Sequence, residues 1–191
     1  MEDFLPEIPD VPVEGEHVVL RLLHEPDAQS LFAVIDKSRD FLARHLPWPG
    51  ECRTVEDVAA RIESWEMQAE MANGACWGIF ERAQGSAPVL AGAIVLGWIQ
   101  AAHLSASVSY WLGEEFTGRG LATEALRLLS RHAFGELGLN RLEISASVAN
   151  AESRAVATRA GFVQEGICRE YERIRGHFED HARFSLLVKD S

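Results

Sequence analysis

The segment "FTGRGLATEAL" (residues 116–126) places two glycines on either side of an arginine, immediately before a helical pattern. The segment before it, "VSYWLG" (108–113), is typical of a strand, and "NRLEISASV" (140–148) is typical of the next one. A strand, a helix and a second strand in this order indicate a right-handed crossover between parallel strands. The first backbone N–H groups of a helix are unpaired, and glycines let an anion approach them closely. The segment therefore predicts a phosphate-binding turn, although a tight turn that binds nothing would use the same glycines.

The rest of the chain indicates a mixed α/β fold in which the other strands are antiparallel. Further strand patterns lie at 17–23, 75–82 and 89–99, and residues 162–190 form a final hairpin around Gly176-His177. Apolar residues recur at helical spacing in 25–38, after residue 54, in 122–134 and in 150–161. We expect a single domain at residues 16–191 and an extended arm at 1–15, anchored by Phe4, Ile8 and Val11.

A helix is predicted to begin at Thr54, which is a favoured N-cap residue and is followed by Asp57 at the third helical position. Its apolar face comprises Val58, Ile62, Trp65 and either Met67 or Ala69. The preceding residues, 41–51, are predicted to form a loop because they contain two prolines, which lack a backbone donor.

Composition excludes several classes of protein. The chain has 191 residues and a formal charge of −11, which argues against a nucleic-acid-binding protein with a broad basic surface. Three widely spaced cysteines suggest neither a disulfide framework nor a metal site. The acidic start lacks the features of a signal peptide, and the most apolar stretch, 89–102, is too short to cross a bilayer. We therefore expect a cytoplasmic protein that binds neither membrane nor metal.

Two common phosphate-binding motifs do not fit the glycine segment. No string in the chain matches the P-loop pattern. A dinucleotide-binding fingerprint needs a third glycine where this chain has Thr123, and an acidic residue near the end of the next strand, whereas Glu143 lies near its beginning.

The segments "YWLGEEFTGRGLATEAL" and "FGELGLNRLEISASVANAESRAVATRAGF" together closely resemble the core of the Gcn5-related N-acetyltransferases (GNAT). The resemblance is strongest to the branch of RimJ/RimL-type ribosomal-protein N-terminal acetyltransferases. It extends to "FLARHLPWPGECRTVEDVAARI" and to the closing hairpin, and covers about residues 16–189. It implies a central, mostly antiparallel sheet with helices on both faces, in which one parallel strand pair splays apart at an acetyl-CoA site.

The resemblance also implies which residues bind acetyl-CoA. The family's pyrophosphate motif, [QR]-x-x-G-x-[GA], falls on Thr117, Gly118, Arg119, Gly120, Leu121 and Ala122, followed by Thr123. Thr117 departs from the motif, which changes how the loop is anchored, whereas the pyrophosphate is held largely by backbone N–H groups. Pantetheine would pair with the strand at Trp111, Leu112 and Gly113, and a backbone N–H near Leu112 would hold the thioester carbonyl.

Asn150 and Ser153 form a second candidate group. From the residues alone, Asn150 is a helix N-cap and Ser153 is a polar residue of the first turn. The resemblance implies in addition that the Asn150 amide bonds pantetheine and that Ser153 protonates the departing thiolate.

The identity of the general base is open in the sequence. The attacking amine must lose a proton, and members of this branch often carry Glu where this chain has Ser107. Glu143 on the neighbouring strand is our candidate, and Glu172, His177 and His45 are alternatives. An α-amine has a pKa near ~8, against ~10.4 for lysine, so it needs a weaker base.

The acceptor is expected to lie between the Leu-Pro-Trp loop and the closing hairpin, against Trp48, Tyr110 and His177. The resemblance implies acetyl transfer to a primary amine, with a protein N-terminal α-amine as the first choice. A small-molecule amine acetyltransferase and a non-catalytic acyl-CoA sensor are the alternatives. Exposed strand edges would also allow a homodimer.

Overall fold

The computed structural model describes residues 7–82 and 85–191, so the predicted anchor Phe4 lies outside the described residues. Within them, the strands form one sheet in the order β1-β2-β3-β4-β5-β6-β8-β7. The strands are β1 (Val13–Glu14), β2 (Val18–Leu22), β3 (Ala75–Glu81), β4 (Val89–Gln100), β5 (Ser105–Leu112), β6 (Arg141–Ser147), β7 (Val163–Ile174) and β8 (His177–Leu187). The α-helices are α1 (Ala28–Lys37), α2 (Arg39–Leu42), α3 (Val55–Glu70), α4 (Leu121–Gly135) and α5 (Ala151–Arg159).

The predicted mixed fold is confirmed. All neighbouring strands are antiparallel except β5 and β6, which are parallel and are joined through the crossover helix α4. The β5–β6 ladder ends at the pair of Ser107 and Glu143, although the two strands continue to Leu112 and Ser147. The strands therefore diverge beyond this pair.

Helices cover both faces of the sheet because side chains of successive strand residues point to opposite sides. On one face, Trp77 and Ile94 pack with the buried side chains of α4. On the other face, Cys76 and Ala93 pack with those of α1 and α3. Helices α1 and α3 extend only as far as Trp111 on β5. They therefore leave their face of the sheet uncovered at β6, β8 and β7.

Helix α4 begins directly after Gly120, whose φ of 83° ends the preceding turn. The predicted apolar face is confirmed, since Ala125, Leu126, Leu129 and Ala133 are all fully buried. Burying each leucine side chain contributes roughly 2 kcal/mol to folding. These contacts fix the start of α4, and thus the glycine turn, against the end of β5.

Helix α3 also begins where the sequence predicted. The Thr54 hydroxyl accepts from the Asp57 N–H at 3.2 Å, and the Asp57 carboxylate accepts from the Thr54 N–H at 2.9 Å. Of the two residues predicted as alternatives at the end of its apolar face, Ala69 packs against the core, whereas the side chain of Met67 is 56% exposed.

Three boundaries differ from the predictions. Helix α2 extends into the predicted loop at 41–51, because a short helical turn continues from α1 after Ser38. The hairpin turns at Arg175 and Gly176, both with positive φ, so His177 is already in β8. In the arm, Ile8 is buried and Val11 is 53% exposed, and the arm contributes β1 to the sheet. No helix in residues 7–82 and 85–191 is long and apolar enough to span a bilayer.

Candidate active site

The divergence of β5 and β6 creates a gap that we call the slot. Gly113 donates its N–H to the Ala91 carbonyl of β4 at 2.8 Å. Successive N–H groups of a strand point to opposite edges, so the Leu112 N–H points away from β4 and toward the slot. The slot thus presents unpaired strand backbone at the position that the sequence predicted.

The turn before α4 lies at the open end of the slot. Gly118 and Gly120 have φ values of 75° and 83°, and a Cβ atom at either position would contact nothing within 4 Å. Among the described residues, no hydrogen-bond acceptor faces any backbone N–H from Gly118 to Thr123. Six consecutive free donors in the turn and the first helical residues could accommodate an anion.

Side chains around this turn either anchor it or add positive charge beside it. The Thr117 hydroxyl donates to the Glu114 carbonyl at 2.8 Å, so the residue that departs from the motif anchors the loop internally. The Arg119 guanidinium binds both oxygens of Glu81 at 3.0 and 2.9 Å, which leaves its backbone N–H as its contribution to the turn. A cleft beside the turn contains Arg127 of α4 and Arg159 of α5, which the sequence patterns do not single out. Arg127 donates to the Arg159 carbonyl, and Arg159 Nε lies 3.4 Å from the Thr123 hydroxyl.

Helix α5 brings Asn150 and Ser153 to the opposite side of the slot. The Asn150 side-chain oxygen accepts from the Ser153 N–H at 3.0 Å, which confirms the predicted N-cap. Its side-chain nitrogen has no hydrogen-bond partner among the described residues. The cap therefore leaves an amide donor for a ligand.

Tyr110, which we expected to contact the acceptor, lines the cleft and is hydrogen-bonded to Ser153. Its hydroxyl lies 2.9 Å from the Ser153 carbonyl oxygen and 3.1 Å from the Ser153 Oγ. Burial raises the pKa of Tyr110 to about 12, although the bond to Ser153 acts in the opposite direction. The phenol is therefore protonated at neutral pH.

The two sides of the sheet give the slot two different faces. Tyr110 packs toward α4 and α5, whereas its neighbour Trp111 packs toward α1 and α3. We call the second side the acceptor face. An open cleft of about 1220 Å³ connects the slot with the Leu-Pro-Trp loop and the hairpin on this face.

One wall of the cleft is aromatic. The rings of Trp48 and Trp111 are 5.5 Å apart, so the predicted acceptor residue Trp48 does line the cleft. The guanidinium of Arg61, from α3, lies 4.7 Å from the Trp48 ring centroid. On another part of the cleft surface, 78% of Trp98 is exposed, in a β-bulge of β4 with a φ of 52°.

The candidate base Glu143 lies in the cleft, but both its oxygens are occupied. Oε1 accepts from Arg141 Nε at 2.8 Å, and Oε2 accepts from Arg183. The neighbouring Ser107 hydroxyl donates to the Gly97 carbonyl at 3.0 Å. A carboxylate that is held by two arginines is less available to an incoming amine, so this environment disfavours Glu143 as the base.

The hairpin offers a second carboxylate on the acceptor face. Glu172 contacts no arginine in the part of the chain that the structure describes, and its Oε2 lies 3.5 Å from the Nε2 of His181. The His181 ring is buried against Tyr171, with centroids 4.9 Å apart, and neither ring nitrogen has a hydrogen-bond partner among the described residues. Burial lowers the pKa of His181, so the ring is neutral near pH 7.

His177, in contrast, lies at the exposed tip of the hairpin and outside the cleft. His181, which the sequence patterns did not single out, lines the cleft instead; it lies four residues after His177 on β8 and pairs with Ser147 of β6, nearer the slot than the hairpin tip. Arg61 could have been found from the sequence, because this charged residue interrupts the apolar stripe of α3 beside Val58 and Ile62.

These residues fit acetyl-CoA, the cofactor that the sequence predicts. The free N–H groups of the α4 turn suit a pyrophosphate, and Arg127 and Arg159 add positive charge beside it. The slot offers an edge of β5 to a ligand that pairs as a strand would.

Comparisons with known proteins agree with this geometry. The protein-family model that describes the acetyltransferase (GNAT) domain matches residues 17–163 of this chain. The chain is 35% identical to "Putative ribosomal N-acetyltransferase YdaF" of Bacillus subtilis strain 168, over 92% of this chain and 94% of that protein. It is 27% identical to the ribosomal-protein-serine acetyltransferase of Escherichia coli K12, over 91% and 94% of the two chains. The predicted resemblance to ribosomal-protein acetyltransferases is thus confirmed.

A solved structure shows the same fold. The crystal structure of RimL, a ribosomal L7/L12 α-N-protein acetyltransferase in complex with coenzyme A, superposes with a TM-score of 0.88 and 22% identity, covering 95% of this chain and 100% of that one. Since the matched domain model spans both the slot and the α4 turn, the chain belongs to the GNAT family and is an acetyl-CoA-dependent N-acetyltransferase.

Proposed function

We propose that this enzyme acetylates the α-amine at the N-terminus of a protein or peptide. The observation that carries this proposal is the open cleft on the acceptor face, which extends from the slot past Trp48 to the hairpin. A cleft of this form accommodates several residues of an extended chain. The relatives whose names refer to ribosomal proteins support the same class of acceptor.

The donor side of the slot is assigned to backbone N–H groups and to one side-chain amide. The N–H groups from Gly118 to Thr123 would hold the pyrophosphate, and the Leu112 N–H and the Asn150 amide would hold pantetheine. Acetyl-CoA supplies an acetyl group that is activated as a thioester. The Leu112 N–H is also the group that would stabilise negative charge on the acetyl oxygen.

Proton transfer is assigned to one pair of residues on each face. On the α5 side, Tyr110 and Ser153 would deliver a proton to the leaving sulfur, since the phenol is protonated and hydrogen-bonded to Ser153. On the acceptor face, Glu172 would take the proton of the amine, with neutral His181 beside it. We prefer Glu172 to Glu143 because arginines occupy both oxygens of Glu143.

The test is acetyl-CoA-dependent thiol release with three sets of acceptors: peptides with a free N-terminus, lysine peptides with a blocked N-terminus, and small amines. We expect release only with free N-termini. Release with small amines alone would favour a small-molecule acetyltransferase. Binding of acetyl-CoA without release, measured by calorimetry, would favour a non-catalytic sensor.

A further inference from the structure

Arg61 places a cation in the cleft that has no counter-ion among residues 7–82 and 85–191. Its guanidinium lies 4.7 Å from the centroid of Trp48 and 5.5 Å from that of Trp65, and so stacks on two indoles. Its Nε is buried without a hydrogen-bond partner, and the guanidinium forms no ion pair with any described residue. A stacked guanidinium is partly shielded from water, so the missing partner costs free energy.

The missing counter-ion is not explained by a shortage of acidic residues. The chain carries 29 acidic and 18 basic residues. Six other arginines form ion pairs within the described residues: Arg21, Arg39, Arg82, Arg119, Arg141 and Arg183. Other arginines also lack an ion pair among the described residues, but Arg61 combines this with a buried Nε and with stacking on two indole rings.

Arg44 adds a second positive charge to the same wall. It is exposed, lies 5.5 Å from the Phe41 ring centroid, and forms no ion pair with the described residues. Arg44 and Arg61 both line the cleft beside Trp48, and neither is paired with an acidic side chain among the described residues. A ligand group bound here would be an anion.

The position of Arg61 relates this anion to the acetylated amine. Trp111 belongs to β5, which forms one edge of the slot, and Trp48 lies between Trp111 and Arg61. The anion would therefore bind one indole ring away from the strand that faces the amine. An extended chain advances about 3.3 Å per residue, so the second or third residue of a peptide spans that separation.

We infer that Arg61 binds a carboxylate of the acceptor, so that the enzyme selects N-termini with an acidic side chain at the second or third residue. A guanidinium offers two parallel N–H donors that match a carboxylate. The inference rests on the proposed function, since it assumes that the acceptor amine is an N-terminus.

The experiment compares three C-terminally amidated peptides, Ser-Ala-Asp-Gly-Gly, Ser-Ala-Asn-Gly-Gly and Ser-Ala-Lys-Gly-Gly. We expect the intact enzyme to acetylate the Asp peptide with a kcat/KM about tenfold above that of the Asn peptide, with the Lys peptide slowest. Arg61→Gln should bring the Asp and Asn peptides to similar values, and Arg61→Lys should retain part of the preference. Arg175→Gln is the matched control, because Arg175 lies at the exposed hairpin tip outside the cleft.

Equal kcat/KM for the Asp and Asn peptides with the intact enzyme would overturn the inference, even though acetylation of both would uphold the proposed function. An Asp preference that Arg61→Gln leaves unchanged would overturn it as well. If Arg61→Gln does not fold, the ratio of kcat/KM for the Asp and Asn peptides is measured with the intact enzyme at low and high salt. Because salt screens the attraction between a guanidinium and a carboxylate, this ratio should fall as the salt concentration rises. A ratio that salt leaves unchanged would overturn the inference. If no peptide is acetylated, the proposed function fails, and calorimetry of the Asp and Asn peptides with the CoA-bound enzyme tests the carboxylate site alone.

Discussion

Tyr110 is the side chain whose chemistry can be isolated most simply. Tyr110→Phe removes the hydroxyl that contacts Ser153 but keeps the packing of the ring. If this hydroxyl delivers the proton to the leaving sulfur, kcat should fall about 100-fold while KM for acetyl-CoA changes little. Steady-state kinetics measure both values.

A matched control for Tyr110→Phe is Ser130→Ala, which also removes one hydroxyl hydrogen bond but lies on α4 away from the cleft. Both variants should lose about 1 kcal/mol of stability, and Ser130→Ala should keep its kcat. An unchanged kcat in Tyr110→Phe would remove Tyr110 from the mechanism.

His181 predicts a pH dependence of stability. Burial lowers the pKa of His181 below 6.5; Glu172 and Glu179 oppose that shift, and Arg183 adds to it. Between the folded-state pKa and 6.5, the unfolded chain binds more protons than the folded chain, so the free energy of unfolding falls as pH decreases below 6.5. His181→Asn should make this decline shallower.

Urea unfolding of both proteins at pH 7.5, 6.5 and 5.5 measures the difference. Burial also lowers the pKa of His132, and a hydrogen bond to Glu66 raises that of His24. Both residues are present in each protein, so their contributions to the pH dependence cancel in the comparison. Identical pH slopes would show that His181 titrates normally.

At the scale of elements, the turn before α4 is held in the left-handed region by Gly118 and Gly120. Alanine at either position would meet no neighbour, so its cost is conformational, of order 1 kcal/mol. Because the strain would displace the free N–H groups, we expect Gly120→Ala to raise KM for acetyl-CoA about tenfold. Calorimetric binding of CoA provides the same test without turnover.

Gly135→Ala is the control for that substitution. Gly135 ends the same helix, has no positive φ, and would also place its Cβ in open space. We expect it to leave acetyl-CoA binding unchanged and to stabilise the helix by about 0.5 kcal/mol. Equal effects of the two substitutions on binding would contradict the assigned role of the turn.

The sequence predicts the elements whose pattern is long and regular. The sequence of helix α3 contains both the cap at Thr54 and the buried apolar stripe. The parallel pairing of β5 and β6 follows from the order strand, helix, strand. It does not predict the bulges, because these depend on pairing between distant strands. The left-handed Trp98 results from such an irregularity in β4.

At the scale of the whole molecule, the incomplete cover of the sheet produces the cleft. Helices α1 and α3 stop at β5, so the acceptor face of the remaining strands is open, while α4 and α5 close the other face. The order of elements predicts helices on both faces. It does not predict how far each pair of helices extends, which depends on tertiary packing.

The central claim is that this face directs an N-terminal α-amine, in preference to lysine, toward the slot. The most direct measurement uses one peptide with a free N-terminus and an internal lysine, incubated with enzyme and acetyl-CoA near pH 7, and locates the acetyl group by fragmentation mass spectrometry. We expect acetylation at the N-terminal nitrogen alone, because the α-amine is more often neutral at this pH. Acetylation of the lysine, with the N-terminus unmodified, would contradict it.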